Sequence, residues 1–236
     1  MIQNSIVVAV YGESIHLAKC IESIKKNTLI PYNLIVIDTK CPRISLAKAW
    51  NKAISMTNSD IITCLNDDGA VGHNWLELLN KSLLSGSKTG LVSPTVSHCG
   101  NNYQVKPFNV LSKDKKKSLD SYSIEEVTEL SKSIYNKYKG KTKSCKNDIS
   151  GSCITFKKDL WERLGCFDES FFPAYGEDTD FYDRILKIGL KLIWCEESYF
   201  HHIGAQTAII IPDLNRKFTS NLYWKKVKER KKRDRK

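Results

Sequence analysis

The sequence predicts an α/β fold: a mostly parallel central sheet flanked by helices. Three observations predict it. Short apolar runs rich in β-branched residues recur at positions 6–10, 34–37 and 61–65. The segments between them carry apolar residues at helical spacing. Each run stops at polar or acidic residues, as a strand does when it leaves a core. Strands alternating with helices argue for a parallel sheet covered on both faces.

Taken in order, Ile-Val-Val-Ala-Val at 6–10 is a continuous apolar run, and so a strand buried on both faces. Ser14 is placed to cap the following helix, with Leu17, Ile21 and Ile24 on one side. Leu34 to Ile37 is a second strand ending at Asp38. Residues 45–56 form a helix with Leu46, Ala49, Trp50 and Ala53 inward. Asp60 opens a third strand, 61–65, which ends at Asn66-Asp67-Asp68-Gly69. A helix over about 75–84 and a short strand, 91–93, follow. From 96 to 147 the pattern breaks into a Lys-rich polar stretch, read as an insertion or lid over the sheet edge. It contains one helix, begun by Ser123 with Glu126 three residues on, a capping box. Regular structure resumes at 151–156, followed by a helix over 158–164. Another helix opens at Glu177, with Phe181, Ile185 and Ile188 apolar. Residues 191–195 form a strand, after which the chain reaches His201-His202.

The 236 residues suit a single large domain of 1–224 followed by a basic tail, 225–236. The net charge is +11, and the tail holds +7 of it, from nine Lys/Arg and two acids. That tail fits a solvated, disordered end, and equally a peripheral contact with an anionic membrane surface or nonspecific binding to nucleic acid; no specific nucleic-acid partner is expected. The eight cysteines include no Cys-x-x-Cys pair, which argues against a zinc ribbon and for reduced buried thiols, with a Cys99–Cys145 bridge left open. The N-terminus lacks the charged start and long apolar stretch of a signal peptide, and no run reaches the length of a membrane span. A cytoplasmic protein, peripheral at a membrane at most, is therefore expected.

Three constellations can carry chemistry. Asn66-Asp67-Asp68 follows a buried strand, where two carboxylates can hold Mg²⁺ or Mn²⁺; the same residues are also good turn formers. In α/β sheets ligands bind beyond the carboxyl ends of the strands, where Asp38 also lies. Gly176-Glu177-Asp178-Thr179-Asp180 opens a helix. Acids favour helix starts, yet three are more than that preference needs, and one of them can act as a general base. His201 and His202 are neighbours on a strand, so only one can face a given site.

In order along the chain, Ile37-Asp38, Asn51 in Ala-Trp-Asn-Lys-Ala, Leu65-Asn66-Asp67-Asp68, Gly151-Ser152, Gly165-Cys166-Phe167-Asp168-Glu169 with Phe171-Phe172, Gly176 to Asp180 with Arg184, and His202-Ile203-Gly204 with Thr207 resemble glycosyltransferase family 2. The resemblance covers about residues 4–207 and implies the GT-A fold, a Rossmann-like α/β architecture. It implies an inverting transfer of sugar from a nucleotide-sugar donor (UDP-, GDP- or dTDP-linked) to a glycan or glycoprotein acceptor, assisted by Mn²⁺ or Mg²⁺. It further implies a nucleotide-binding half (1–95), a variable insertion (96–147), an acceptor and catalytic half (148–207) and a C-terminal extension (208–224). By the same resemblance Asp178 is the catalytic base. Asp38, Asn51, Asp67 and Asp68 contact the donor, with Asp38 on the base. Asp68 and His202 hold the metal, while Glu177, Asp180, Arg184 and Gly151 surround the acceptor. Asn66 departs from the family, many members of which have Asp there, and this removes one carboxylate from the metal motif.

Two other classes compete. A nucleotidyltransferase would need a Gly-rich basic loop after the first strand, where this chain has Tyr11-Gly12-Glu13-Ser14. A non-catalytic carbohydrate- or nucleic-acid-binding module on the same fold finds support in Asn66 and the basic tail. Retention of Asp68, Asp178 and His202 together argues against it.

Overall fold

The structure, a computed structural model, describes residues 2–99, 104, 121–204, 206, 211 and 216–233. Thr207 and residues 100–103 and 105–120 of the 96–147 insertion lie outside the described residues. Strand β1 (Asn4–Val10) leads into α1 (Leu17–Asn27), β2 (Asn33–Asp38), α2 (Leu46–Ser55), β3 (Ile61–Asn66), β4 (Gly69–Val71), α3 (Trp75–Leu84) and β5 (Thr89–Val96). Within the 96–147 insertion lie α4 (Ile124–Tyr138) and β6 (Thr142–Cys145), and after it come β7 (Cys153–Lys157), α5 (Lys158–Leu164), α6 (Glu177–Lys187), β8 (Lys191–His202) and α7 (Arg216–Arg233).

The strands form one sheet in the order β2-β1-β3-β7-β5-β8-β4, with β6 paired to β8. β2, β1, β3, β5 and β8 run one way, and β7, β4 and β6 run against them. β7 therefore sits between β3 and β5 as an antiparallel strand.

β1 shows why the run at 6–10 is continuously apolar. Val7 and Ala9 pack into one core with α2, α5 and α6, while Ile6 and Val8 pack into a second core with α1 and α3. Alternate residues point to opposite faces, and both faces are covered. Helix α4 brings Val127, Leu130 and Ile134 against Ala70 and Tyr199 in a third, smaller cluster.

Local signals set the starts of α2 and α4. Ser45 caps α2 by accepting from Lys48 N–H at 3.1 Å. Ser123 and Glu126 form both halves of the capping box on α4. Other expectations are corrected. Ser14 does not cap α1, which starts three residues later, after His16; its hydroxyl accepts from His16 N–H and donates to Asp67. Ile24 is buried as expected, but Cys20, Ser23 and Asn27 fill the rest of the buried face of α1, and Leu17 and Ile21 are only half-buried. Ile188 follows the end of α6 and is exposed. The strand expected at 91–93 spans eight residues because β7 and β8 both pair with it. All eight cysteines are free, so no Cys99–Cys145 bridge forms.

Candidate active site

The carboxyl ends of β1 and β3, the start of β7, the start of α6, the end of β8 and the first turns of α7 surround one cavity of about 690 Å³. That volume suits a small-molecule ligand. Asn66, Asp67, Asp68, Gly151, Glu177, Asp178 and His202 all line it.

Asp67 and Asp68 leave the sheet at the end of β3, and both are buried at 3% exposure. Burial raises the Asp67 pKa above the usual carboxylate range, and the Ser14 hydroxyl partly offsets it. Asp68 Oδ1 lies 3.2 Å from His202 Nε2 and has no aligned hydrogen-bond partner, while Asp68 Oδ2 accepts from Gln206 N–H at 3.4 Å. His202 reaches this point because β8 pairs antiparallel with β4, in register Gly69 to His202, directly after Asp68. Its Nδ1 lies 2.8 Å from the His98 carbonyl, and the Asn66 amide lies 3.4 Å from Nε2. Burial works against protonation of His202, but the Asp68 carboxylate overrides it and raises the pKa. His201 points the other way. It stacks edge-on with Tyr122 and meets the Tyr199 hydroxyl at 3.1 Å.

These residues fit a divalent cation. A ring whose Nδ1–H donates to a carbonyl presents Nε2 as a lone pair, the usual arrangement behind a metal-bound histidine. The buried Asp68 Oδ1 has His202 Nε2 beside it at 3.2 Å, and a divalent cation would take the place of the proton between the two. Among the described residues no three His, Cys, Asp or Glu side chains converge on one point. Asp68 and His202 would therefore need a ligand's own oxygens to complete the shell.

The opposite wall is the start of α6. Gly176 takes φ +104°, a conformation L side chains rarely adopt, and turns the chain into the helix. Glu177 follows, buried at 3%, with Oε2 lacking a partner. Burial and the neighbouring Asp178 push its pKa up to about 8. Asp178 Oδ1 accepts from Thr179 N–H at 2.7 Å and lies 3.2 Å from the Thr179 hydroxyl. Its other oxygen, Oδ2, faces Gly151. Burial raises the Asp178 pKa, and the Thr179 hydrogen bonds limit the rise.

Other expected site residues stand elsewhere. Asp38 is exposed at the end of β2, one residue before the cavity-lining Thr39. Its Oδ1 accepts from the N–H groups of Gly12 and Lys40, both at 2.8 Å, and these bonds hold its pKa low. Asn51, expected to contact the donor, does not line the cavity. Its amide donates to Phe167 O and Glu169 Oε1 and accepts from Phe167 N–H and Trp161 Nε1–H, which ties α2 to the loop after α5. Asp180 and Arg184 do not line the cavity either. They pair at 2.9 Å behind Glu177, and Arg184 also donates to Leu164 O at the end of α5.

Sequence reasoning missed Trp50, Tyr182, Arg43 and Arg216 as cavity residues. Tyr182 was accessible in principle, since it follows Asp178 by four residues and so shares its helix face. Arg43 and Arg216 carry no local signal, because loop paths bring them to the site.

A model of the family described as Glycosyl transferase family 2 matches residues 40–164, more than half of the chain. The chain belongs to glycosyl transferase family 2. The matched segment holds Asp67 and Asp68 but stops before the Glu177-Asp178 pair and His202, which only the fold brings into this family member's cavity. Two solved structures share its GT-A fold. One is described as GalNAc-T7 with UDP, GalNAc and Mn²⁺, at TM-score 0.61 and 16% identity, covering 84% of this chain and 43% of that one. The other is a mannosyltransferase, PcManGT from Pyrobaculum calidifontis, in complex with GDP-Man and Mn²⁺. It matches at TM-score 0.51 and 15% identity, covering 80% of this chain and 53% of that one. The chain thus spans about half the length of the structures it matches. No curated protein sequence matches it.

Proposed function

We propose that this family 2 member is an inverting, metal-assisted glycosyltransferase. It moves a hexosyl or deoxyhexosyl group from a UDP-, GDP- or dTDP-sugar to a hydroxyl of a glycan, glycoprotein or lipid-linked acceptor. One observation carries the reading: a single cavity is lined by Asp68 and His202, which suit a cation, and by Asp178, which suits a base. The two similar structures were each solved with Mn²⁺ and a nucleotide or nucleotide-sugar.

The chemistry follows from these residues. Asp178, held through Oδ1, takes the proton of the acceptor hydroxyl at Oδ2. The acceptor oxygen bonds to the anomeric carbon, and the bond from that carbon to the diphosphate breaks with its electron pair leaving on the diphosphate. The single in-line displacement inverts the carbon and needs no enzyme nucleophile. Asp68 and His202 would hold the metal, which when bound supplies positive charge to the leaving diphosphate. Their mixed oxygen and nitrogen donors suit Mn²⁺ better than Mg²⁺, which prefers oxygen alone. Asp38, beside the cavity-lining Thr39, would contact the donor base, and Glu177 and Gly151 would border the acceptor hydroxyl.

The test is a screen of nucleotide-sugars for hydrolysis and transfer with Mn²⁺ or Mg²⁺, beside calorimetric titration with nucleoside diphosphates. Metal-dependent turnover of at least one donor is expected. A chain that binds no nucleoside diphosphate with either ion is not a glycosyltransferase.

A further inference from the structure

Helix α7 carries a charge out of proportion to its length. Its 18 residues hold nine Lys/Arg and one Glu, a net +8 against +11 for the whole chain. One side of it is fastened to the body. Thr219 is 2% exposed, Tyr223 donates to Asp183 Oδ2 at 2.6 Å, and Lys226 pairs with Asp168 at 2.6 Å. These contacts fix the rotation of the helix about its axis. At about 100° per residue, the opposite side presents Lys217, Phe218, Trp224, Lys225, Lys228 and Lys232. Phe218 and Trp224 are each 57% exposed, and the lysines lie between and beside them.

No described helix is long and apolar enough to cross a membrane. Two exposed aromatic rings set among lysines on one helix face match instead the boundary of a bilayer, where rings enter the headgroup layer and ammonium groups meet anionic lipid. Single-stranded nucleic acid would also meet the charge, but it is tracked by a groove lined with stacking rings. This surface is the outer side of a helix. We infer that the outward face of α7 docks on an anionic lipid bilayer. Because Arg216, Thr219, Ser220 and Tyr223 of the same helix line the cavity, docking holds the cavity beside the membrane surface. The inference is independent of the sugar-transfer reading.

Trp224 makes the test selective. The chain has five tryptophans, and Trp50, Trp75, Trp161 and Trp194 are all at most 5% exposed. The full chain is mixed with vesicles of phosphatidylcholine, with or without phosphatidylserine, some carrying brominated acyl chains. Sedimentation and tryptophan emission are then read. Binding is expected to require phosphatidylserine, to weaken as salt rises, and to bring a blue shift and bromine quenching. Phe218→Ser with Trp224→Ser should lose most of the binding while the melting temperature holds. Lys225→Glu with Lys228→Glu should weaken binding by about fivefold or more per lysine. Equal binding to neutral vesicles, or no binding, overturns the proposal. So does binding without quenching, because the aromatic face then stays in water. An RNA oligonucleotide that strips the chain from phosphatidylserine vesicles assigns the helix to nucleic acid and also overturns it.

Discussion

A Cβ on Gly151 would lie 2.1 Å from Asp178 Oδ2 and 3.1 Å from Asp178 Cβ. The carboxylate occupies space that only glycine leaves open. It cannot swing aside cheaply, because Oδ1 is bonded to Thr179 N–H. Gly151→Ala is expected to displace Oδ2 and lower transfer by about 10²-fold, since a shift of about 1 Å in a reacting group has that effect. Nucleoside diphosphate affinity, read by calorimetry, should hold. Transfer at the wild-type rate would mean that Oδ2 does not work from this position.

Asp178→Asn removes the proposed base and should lower transfer by about 10²–10⁴-fold with donor affinity nearly intact. Loss of donor binding instead would move Asp178 into the donor site. Burial raises its pKa, and the base works ionised, so transfer should fall on acidification at a pH above the ordinary carboxylate range. Asp180→Asn is the control. It breaks a buried pair with Arg184, so it should cost about 3 kcal/mol of stability and spare the rate per folded molecule.

His202→Ala should weaken Mn²⁺-dependent donor binding by about 10–100-fold or more, the scale seen even for outer partners of metal ligands. His201→Ala should leave that binding alone and lower stability by about 1–3 kcal/mol, because its ring packs on Tyr122 and Tyr199. The opposite ranking in calorimetry would refute the assignment.

Tyr182 Oη is buried without a hydrogen-bond partner. Tyr182→Phe keeps the ring and removes the cost of the stranded hydroxyl, so the free protein should gain about 1–3 kcal/mol. A lower melting temperature would mean that the hydroxyl is satisfied in the folded chain.

Glu177 binds its proton more tightly folded, at about 8, than at the ordinary value of 4.5. Its contribution is therefore complete below about pH 4.5 and is lost as pH rises towards 8. Glu177→Gln stays neutral throughout. Thermal melts should show the variant gaining on the wild type across that window, and parallel curves would contradict the assignment.

The sequence by itself determined the type of most elements. Apolar runs at 6–10, 34–37 and 61–65, helical spacing at 45–56, and the capping box at Ser123 are local signals, set by backbone sterics and by neighbours within one turn. The acidic strand end at Asp67-Asp68 and the helix start at Glu177-Asp178 were legible for the same reason. Tertiary structure alone decided the partners. β4 and β6 are three and four residues long and exist as strands because β8 hydrogen-bonds to them. β7 enters the sheet antiparallel between β3 and β5, which no local pattern specifies. The meeting of Asp68 with His202, separated by 134 residues, depends on the β4–β8 register. Asn51 has the same composition-level signal as a ligand contact, yet the loop at 167–169 satisfies its amide. Hydrogen-bonding groups take whichever partner the fold brings within about 3 Å, and that proximity belongs to the assembled sheet rather than to any stretch of chain.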